Sequence, residues 1–274
     1  MQLEYFIKGE SNKETILFVH GAGANASQFE KQLESFSESY KVVSLSLRGH
    51  GGSALPSPNV TQLYSLDHLA NDIIELIENL RLENIHYVGN STGGVLGYIV
   101  CSRLADRFLT LTTFGTTGQM TLPAWSAPLV SAYDAFMIKL FRKKYLAFTA
   151  GYAVKSKEAK EKVFQMFLKA ADGIPHLRAH LVNYNYLKEI ENLSIPYFLI
   201  QCEYDNDINN SLKTTKEAMS KNKKAKVVQL KGAGHMANLD LPDEFNQILA
   251  DLLAGLDRTR KLEIASEVSS SFNC

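Results

Sequence analysis

Short apolar runs alternate along this chain with longer segments in which apolar residues recur every three or four positions. The short runs are Ile16–Val19, Val42–Leu47, Ile85–Val88, Leu109–Phe114, Tyr197–Ile200 and Ala225–Leu230. They are partly β-branched and are bounded by Gly, Pro, Asn or Asp, which is typical of strands. Several are apolar on successive residues, as in strands that helices cover on both faces. Met1–Lys8 is a candidate edge strand.

The longer segments have the period of amphipathic helices. One stripe runs from Leu66 to Leu80, and Ser65 is positioned to cap it. Another runs from Phe245 to Leu256 and follows Pro242, a residue that favours the first helical turn. Because strand and helix alternate, the crossovers should be right-handed and the strands parallel. The pattern predicts an α/β fold with a mostly parallel, doubly wound sheet.

The alternation is interrupted once, between about Gly118 and Ile190. This segment shows helical stripes, such as the one around Tyr133 and Phe141, and no convincing strand. Helices inserted between two strands normally lie at one end of the sheet, so we expect a helical cap. The predicted division is a core of residues 1–118 and 191–258, a cap of residues 119–190, and a frayed or loosely docked tail of residues 259–274.

Composition excludes several classes of protein. The chain has 274 residues, 45% hydrophobic and 21% charged, with 29 basic and 29 acidic side chains. This balance is globular, and a net charge of zero gives no reason to expect nucleic-acid binding. The first ten residues lack a basic segment followed by a long apolar run, and no apolar run reaches spanning length, so we expect neither a secretory leader nor a membrane span. Three scattered cysteines favour a cytoplasmic location. No metal-ligand spacing occurs, so we expect neither a metal nor an organic cofactor; the oligomeric state is left open.

Candidate chemistry begins at Gly89-Asn90-Ser91-Thr92-Gly93, which follows a predicted strand and opens an apolar helical segment. A turn this sharp holds its central residue in unusual dihedral angles, and glycines on either side give it room. The Ser91 hydroxyl would then stand free at the carboxyl end of the sheet. Ser91 is the candidate nucleophile and Gly89 and Gly93 its turn residues; the alternative is a glycine-rich turn without a chemical role.

A serine hydroxyl needs a base to take its proton. His235 lies in a glycine-rich loop after the last predicted strand, so it emerges at the same edge of the sheet as Ser91. It is the candidate base. Structural or merely pocket-lining positions are expected for His68, His86, His176 and His180.

The base in turn needs a carboxylate to orient it. Glu203, Asp205 and Asp207 all follow the strand Tyr197–Ile200. The sequence does not rank them firmly; the position after the strand favours Asp205, with Asp207 next.

Backbone amides can hold the negative oxygen of a tetrahedral intermediate. His20-Gly21-Ala22-Gly23-Ala24 follows the first central strand, beside the serine turn. We expect the N–H groups of Ala22 and Thr92 to form this oxyanion hole, Gly21 to shape the turn and His20 to brace the loop.

Taken together, these motifs resemble the α/β-hydrolase superfamily. His20-Gly21, the loop Arg48–Ser53, the serine elbow, Asp205 and Gly234-His235 occur in the order of that family, from the first strand to the last helix. The resemblance implies Ser91 as nucleophile, His235 as base, Asp205 as acid and a helical cap. It also implies a structural role for Arg48–Ser53. The acid loop departs from the family pattern, because Cys202 replaces a glycine and the following proline is missing.

The cap bears on the substrate. Its aromatic residues should mostly pack internally, while some face the serine and form an apolar pocket; they are Trp125, Tyr133, Phe136, Phe141, Tyr145, Phe148, Tyr152, Phe164, Phe167, Tyr184 and Tyr186. Between Gln119 and Ile190, the sequence contains eleven basic residues and five acidic ones. This excess is either a solvated face or a means of attracting an anionic substrate.

The sequence thus predicts a serine hydrolase that cleaves a small to medium acyl ester, lactone or thioester through an acyl-enzyme. Two alternatives stay open, since they share the nucleophile. One is a hydrolase of carbon–carbon bonds in diketone acids or a cofactor-free peroxidase, and the other is a ligand-sensing protein of this fold without turnover.

Overall fold

The computed structural model describes the backbone of residues 1–271 and the side chains of residues 1–256. Its strands are β1 (Tyr5–Lys8), β2 (Thr15–Val19), β3 (Lys41–Leu45), β4 (Ile85–Asn90), β5 (Phe108–Phe114), β6 (Gln119–Thr121), β7 (Asn183–Asn185), β8 (Tyr197–Cys202) and β9 (Ala225–Leu230). Its helices are α1 (Glu30–Phe36), α2 (Leu66–Asn79), α3 (Thr92–Arg103), α4 (Ala127–Ala153), α5 (Lys157–Ala170), α6 (Ile174–Arg178), α7 (Leu187–Asn192), α8 (Asn206–Lys221), α9 (Ala237–Asp240) and α10 (Pro242–Ser271). Short 3₁₀ turns lie at Ala26–Phe29, Thr61–Tyr64, Ala105–Arg107, Ala124–Ser126 and Ala179–Leu181.

The central sheet has the order β1-β3-β2-β4-β5-β8-β9 in the described part of the chain. Its strand pairs are parallel except for β1, which pairs antiparallel with β3 at one edge. The predicted mostly parallel sheet and its candidate edge strand are therefore confirmed. After β2 the chain moves outward to β3 and then returns to the other side of β2 as β4. Such a reversal opens a crevice at the carboxyl ends of the two strands, where ligands bind in α/β sheets.

Helices cover both faces of this sheet, which explains why β2 and β4 are buried at every position. On one face, Leu33 of α1 and Phe245 of α10 belong to a single apolar cluster. On the other, Ile73 of α2 and Leu96 of α3 belong to a second one. The predicted cap of α2 is also present, since the Ser65 hydroxyl accepts a hydrogen bond from the His68 N–H. Burial on both faces rather than alternation is what the continuous apolar runs indicated.

Between β5 and β8 the chain forms the cap, whose own apolar cluster joins residues of α4, α5 and α6. Ala24 and Met236 belong to the same cluster and come from loops at the carboxyl edge of the sheet, so the cap packs directly onto that edge. The division into core and cap at residues 118 and 190 stays a prediction. The expected tail, residues 259–274, lies outside the side chains that the structure describes. Among the described residues, no helix has both the length and the hydropathy needed to cross a bilayer.

Two expectations for the cap are wrong. Strands do occur there, because β6 and β7 form an antiparallel pair; each is three residues long and largely polar, so neither shows an apolar pattern. The aromatic side chains also do not mostly pack inside, since six of the eleven are exposed: Trp125, Tyr133, Phe136, Phe141, Phe148 and Tyr152.

The loop Arg48–Ser53 has the structural role that the family resemblance implied. Arg48 and Asp72 are both buried, and two hydrogen bonds of 2.6 Å join the guanidinium to the carboxylate. The remaining Arg48 donors reach the carbonyl oxygens of Leu63 and His68. This cluster ties the loop after β3 to α2.

Removing the carboxylate from this pair should leave a buried cation without its counter-charge. We expect Asp72→Ala to lower the free energy of unfolding by about 3–5 kcal/mol, measured by urea denaturation followed by circular dichroism. Glu83→Ala is the matched control, because Glu83 pairs with Arg107 at 3.0 Å on the exposed surface. That change should cost less than about 1 kcal/mol. Equal losses in the two variants would contradict a stabilising role for the buried pair.

Candidate active site

Ser91 occupies the turn between β4 and α3 with φ 53° and ψ −117°. Residues other than glycine rarely adopt this left-handed backbone conformation. The Ser91 N–H donates to the Phe114 carbonyl at 3.0 Å, and the Ser91 carbonyl accepts from the N–H groups of Gly94 and Val95. These hydrogen bonds hold the strained residue at the carboxyl end of the sheet.

The glycines around Ser91 are required by close backbone approach. A methyl group at Gly93 would collide with the backbone of Val19, and one at Gly89 would collide with the backbone of Gly93. The chain can therefore turn this sharply from strand to helix only because glycine occupies these two positions. Gly89 lies near the end of β4, Ser91 precedes α3, and Gly93 lies in its first turn.

The loop after β2 lies directly against this elbow. A Cβ atom added to Gly21 would come within 2.7 Å of the Ser91 Cβ. Ala22 and Ser91 line the same cavity. Among the hydrogen bonds between described residues, neither the Ala22 N–H nor the Thr92 N–H donates to a protein acceptor. Thr92 begins α3, where the first N–H groups have no acceptor within the helix and carry the positive end of its dipole.

His235 and Asp205 meet at the same edge. His235 Nδ1 lies 2.9 Å from Asp205 Oδ2, with the carboxylate buried and the imidazole 27% exposed. Because an ionised carboxylate only accepts, Nδ1 carries the proton in the neutral imidazole and Nε2 remains basic. His235 lines the cavity that Ser91 also lines. Within the described contacts, no hydrogen bond joins the Ser91 hydroxyl to the imidazole.

Each of the three carboxylates after β8 has a different partner. Glu203 accepts from the N–H of Gly232 at 2.8 Å, and so holds the start of the histidine loop. Asp207 accepts from the Tyr152 hydroxyl of the cap at 2.9 Å. The structure thus brings Asp205, rather than Asp207, to the imidazole of His235.

Asp205 and Asp207 decide the direction of the pKa shift of His235. Burial lowers the pKa of the imidazole, since the low-polarity surroundings disfavour its charged form. The charge and the hydrogen bond of Asp205, together with the charge of Asp207, act in the opposite direction. The net result is that the pKa of His235 is raised above its ordinary value.

His20 braces its loop, as the sequence indicated. Its Nδ1 lies 2.7 Å from the Gly21 carbonyl, and its Nε2 accepts from the Leu47 N–H at 2.8 Å. Burial and the neighbouring His50 lower the pKa of His20 to about 3, so the ring is neutral. In the cap, His176 and His180 contact Thr61 instead of entering the Ser91 cavity.

Sequence reasoning missed the residues that hold the histidine loop. The Asn90 amide donates to the His235 carbonyl at 2.9 Å, and Gln28 donates to the Asn90 side-chain oxygen at 3.0 Å. Asp240 accepts from the Gly234 N–H at 2.7 Å with one oxygen, and from the N–H groups of Lys155 and Ser156 with the other. The loop is therefore fastened to the sheet on one side and to the cap on the other. No one-dimensional pattern marks these partners.

The cap covers the serine with a mostly apolar cavity of about 390 Å³. Its lining consists of Ala22, Ser91 and His235 from the core and of Tyr145, Leu146, Phe148, Thr149, Tyr152, Phe167, Ile174, Arg178 and Leu181 from the cap. A larger cavity of about 780 Å³ between α1 and α10 contains none of the candidate site residues. In the described part of the chain, no group of His, Cys, Asp and Glu side chains could hold a metal ion.

Arg178, also missed from sequence, brings a cation to this apolar lining. Its Nη1 donates to Asp134 Oδ1 at 2.7 Å and to the Tyr145 hydroxyl at 3.3 Å, and Tyr145 donates to the same carboxylate oxygen. Asp134 is fully buried, whereas Arg178 is 42% exposed. Among described residues, Nε and Nη2 of Arg178 make no hydrogen bond, so one edge of the guanidinium stays available.

Comparison with known proteins extends over nearly the whole chain. The 3-oxoadipate enol-lactonase 2 of Acinetobacter baylyi is 23% identical over 249 residues, which are 89% of this chain and 90% of that relative. A crystal structure of the enol-lactonase from Burkholderia xenovorans gives a TM-score of 0.79 at 21% identity, covering 92% of this chain and 96% of the other. A thermophilic esterase from Thermogutta terrifontis, solved with malate bound, gives 0.79 at 22% identity and covers 93% of each chain.

The family profile described as the alpha/beta hydrolase family matches residues 16–248. This range runs from β2, through the elbow and the histidine loop, into α10. The predicted fold and family are therefore confirmed. This chain belongs to the α/β-hydrolase family.

Proposed function

We propose that this protein hydrolyses small to medium acyl esters, lactones or thioesters through an acyl-enzyme on Ser91. One observation carries the proposal: Ser91, His235 and Ala22 line one apolar cavity, with Asp205 hydrogen-bonded to His235 and Thr92 next to Ser91. Among the described hydrogen bonds, the N–H groups of Ala22 and Thr92 have no protein acceptor. The names of the relatives, two enol-lactonases and an esterase, support hydrolysis of ester and lactone bonds.

Each group has a distinct task in this reaction. As Ser91 Oγ attacks the acyl carbon, His235 Nε2 accepts its proton, and Asp205 stabilises the imidazolium that forms. The carbonyl oxygen becomes negative and accepts hydrogen bonds from the Ala22 and Thr92 N–H groups.

The bond from the acyl carbon to the leaving oxygen or sulfur then breaks, and the imidazolium gives its proton to that atom, which yields an alcohol or a thiol. In a lactone this group stays attached to the acyl chain. Water next attacks the acyl carbon while His235 accepts its proton. The bond from the acyl carbon to Ser91 Oγ then breaks, Oγ takes the proton from His235, and the carboxylic acid leaves.

The position of Arg178 favours a substrate that has a carboxylate group at a distance from the bond that is cleaved. Its guanidinium lies in a cavity whose other cap residues are mainly apolar, and its free edge offers two N–H donors with the geometry of a carboxylate. Asp134 and Tyr145 hold the opposite edge. We infer that Arg178 is the residue of the basic cap that binds the carboxylate of an anionic substrate.

Removal of the nucleophile tests the reaction itself. Ser91→Ala should reduce turnover of nitrophenyl acetate and butyrate by at least about a thousandfold, because the other groups cannot form the acyl-enzyme. Release of nitrophenol over many turnovers is the measurement. Ser102→Ala, an exposed serine of α3, should retain full activity. A single burst without turnover in the wild type would contradict the proposal and favour a ligand-sensing protein; cleavage of diketone acids without ester turnover would favour the carbon–carbon alternative.

Titration of His235 tests which carboxylate acts on it. Asp205→Asn removes the charge that raises the pKa while leaving the burial that lowers it, so the pKa of His235 should fall. Asp207→Asn should lower it less, since Asp207 acts through charge alone. Proton–carbon NMR of the imidazole against pH measures both, and the acid limb of kcat/KM should move to lower pH in the same order. A larger fall in Asp207→Asn would reverse the assignment.

Selectivity tests the role of Arg178. Arg178→Met should lower kcat/KM roughly 10–100-fold for the nitrophenyl monoester of a dicarboxylic acid, because a charge-assisted hydrogen-bond pair is lost. The neutral ester of equal chain length should change less than about threefold. Arg142→Met is the control, since Arg142 lies on the same cap outside this cavity and pairs with Asp172. Equal losses for both esters would remove Arg178 from substrate recognition.

A further inference from the structure

Helix α4 presents a row of large apolar side chains to solvent. Leu129, Tyr133, Phe136 and Leu140 follow the spacing i, i+4, i+7 and i+11, so they lie on one face of the helix. Each is between 55% and 59% exposed. Leu122 and Trp125 precede the helix and are 50% and 70% exposed. We call these six residues the apolar ridge.

The opposite face of the same helix is already covered. Ile138, Tyr145 and Leu146 are buried in the apolar cluster of the cap. Helix α4 is therefore apolar on two faces, only one of which packs against the protein. A helix that is apolar all round is normally buried, and a continuous exposed apolar patch marks a surface that binds something.

Charge around the ridge selects the kind of partner. From residue 122 to residue 153 the sole acidic residue is Asp134, which is buried and paired with Arg178. The exposed cations of this stretch are Lys139, Arg142, Lys143 and Lys144. Arg142 pairs with Asp172 at 3.6 Å, whereas the three lysines form no ion pair among the described residues. The partner should therefore be both apolar and negatively charged.

We propose that the apolar ridge docks this protein on the surface of a bilayer containing anionic phospholipid, with α4 lying in the plane of the interface. Helices that bind in this way combine an apolar face with lysines beside it, and Trp and Tyr favour the headgroup level. Lysines near the surface add attraction to the anionic headgroups. A second copy of this chain fits less well, because it would bring two cationic ridges together.

Docking would also position the Ser91 cavity. Beyond Phe141, where the backbone leaves helical geometry (φ −129°, ψ 27°), α4 supplies Phe148 and Tyr152 to the cavity lining. These two side chains are 74% and 62% exposed. The cavity would therefore lie beside the bilayer, within reach of esters that partition there. Binding itself does not depend on turnover, so it can be tested separately from the proposed reaction.

Trp125 provides a direct signal, because it is the only tryptophan of the chain. The full-length protein is mixed with phosphatidylcholine vesicles containing about a third phosphatidylglycerol, and with vesicles of phosphatidylcholine alone. We expect co-sedimentation and a blue shift of Trp125 emission with the anionic vesicles. Both should weaken strongly when salt is raised to about 0.5 M.

Two double variants separate the apolar and the charged contributions. L129Q/F136Q removes apolar side chains, and K143E/K144E reverses charge; each should weaken binding at least about tenfold. K223E/K226E changes the net charge by the same amount on exposed residues outside the cap, and should bind almost as the wild type does. Because all these side chains are exposed, the circular dichroism spectra and the Tm should be unchanged.

Three outcomes would overturn the proposal. One is failure of the wild type to bind anionic vesicles. Another is equal weakening by K143E/K144E and K223E/K226E, which would indicate general charge attraction without docking through α4. The third is a concentration-dependent dimer in sedimentation velocity that L129Q/F136Q dissociates, which would make a second copy the occupant of the apolar ridge.

Discussion

The left-handed backbone of Ser91 is the constraint on which the site depends. A strand that turns straight into a helix must pass the neighbouring strand at backbone contact distance, and Gly89 and Gly93 leave the space for this passage. The turn places the hydroxyl at the free end of the sheet and the first N–H groups of α3 directly behind it. The position of the proposed nucleophile and its electrostatic environment thus have one steric origin.

The histidine loop has to meet this fixed hydroxyl from a strand three positions away in the sheet. Asp205 orients the imidazole, while Asn90 and Asp240 hold the backbone on either side of it. Asp240 also accepts hydrogen bonds from the N–H groups of Lys155 and Ser156, so one partly buried carboxylate holds both the loop and the cap. The position of His235 therefore depends on contacts with both the sheet and the cap.

Helix α4 contributes to two different surfaces, the lining of the Ser91 cavity and the solvent-exposed apolar ridge. Toward the serine, its residues shape an apolar cavity in which the Arg178 guanidinium is held by the buried Asp134. Away from the protein, the apolar ridge and its lysines face solvent. The excess positive charge of the cap thus has two locations: Arg178 lies in the cavity, and the lysines beside the apolar ridge lie on the outer surface.

The sequence by itself determined the parallel sheet, the serine elbow and the loop that carries His235. These follow from short-range causes: the period of apolar residues reports burial on one or two faces, and closely spaced glycines report a turn that other residues cannot make. Only the tertiary structure decided which carboxylate lies against His235, since three of them follow β8 within five residues and each finds a different partner. It alone paired β6 with β7, brought Arg178 to Asp134 across 44 positions, and left one face of α4 uncovered. Contacts between distant segments depend on how the elements pack, and packing has no periodic signature along the chain.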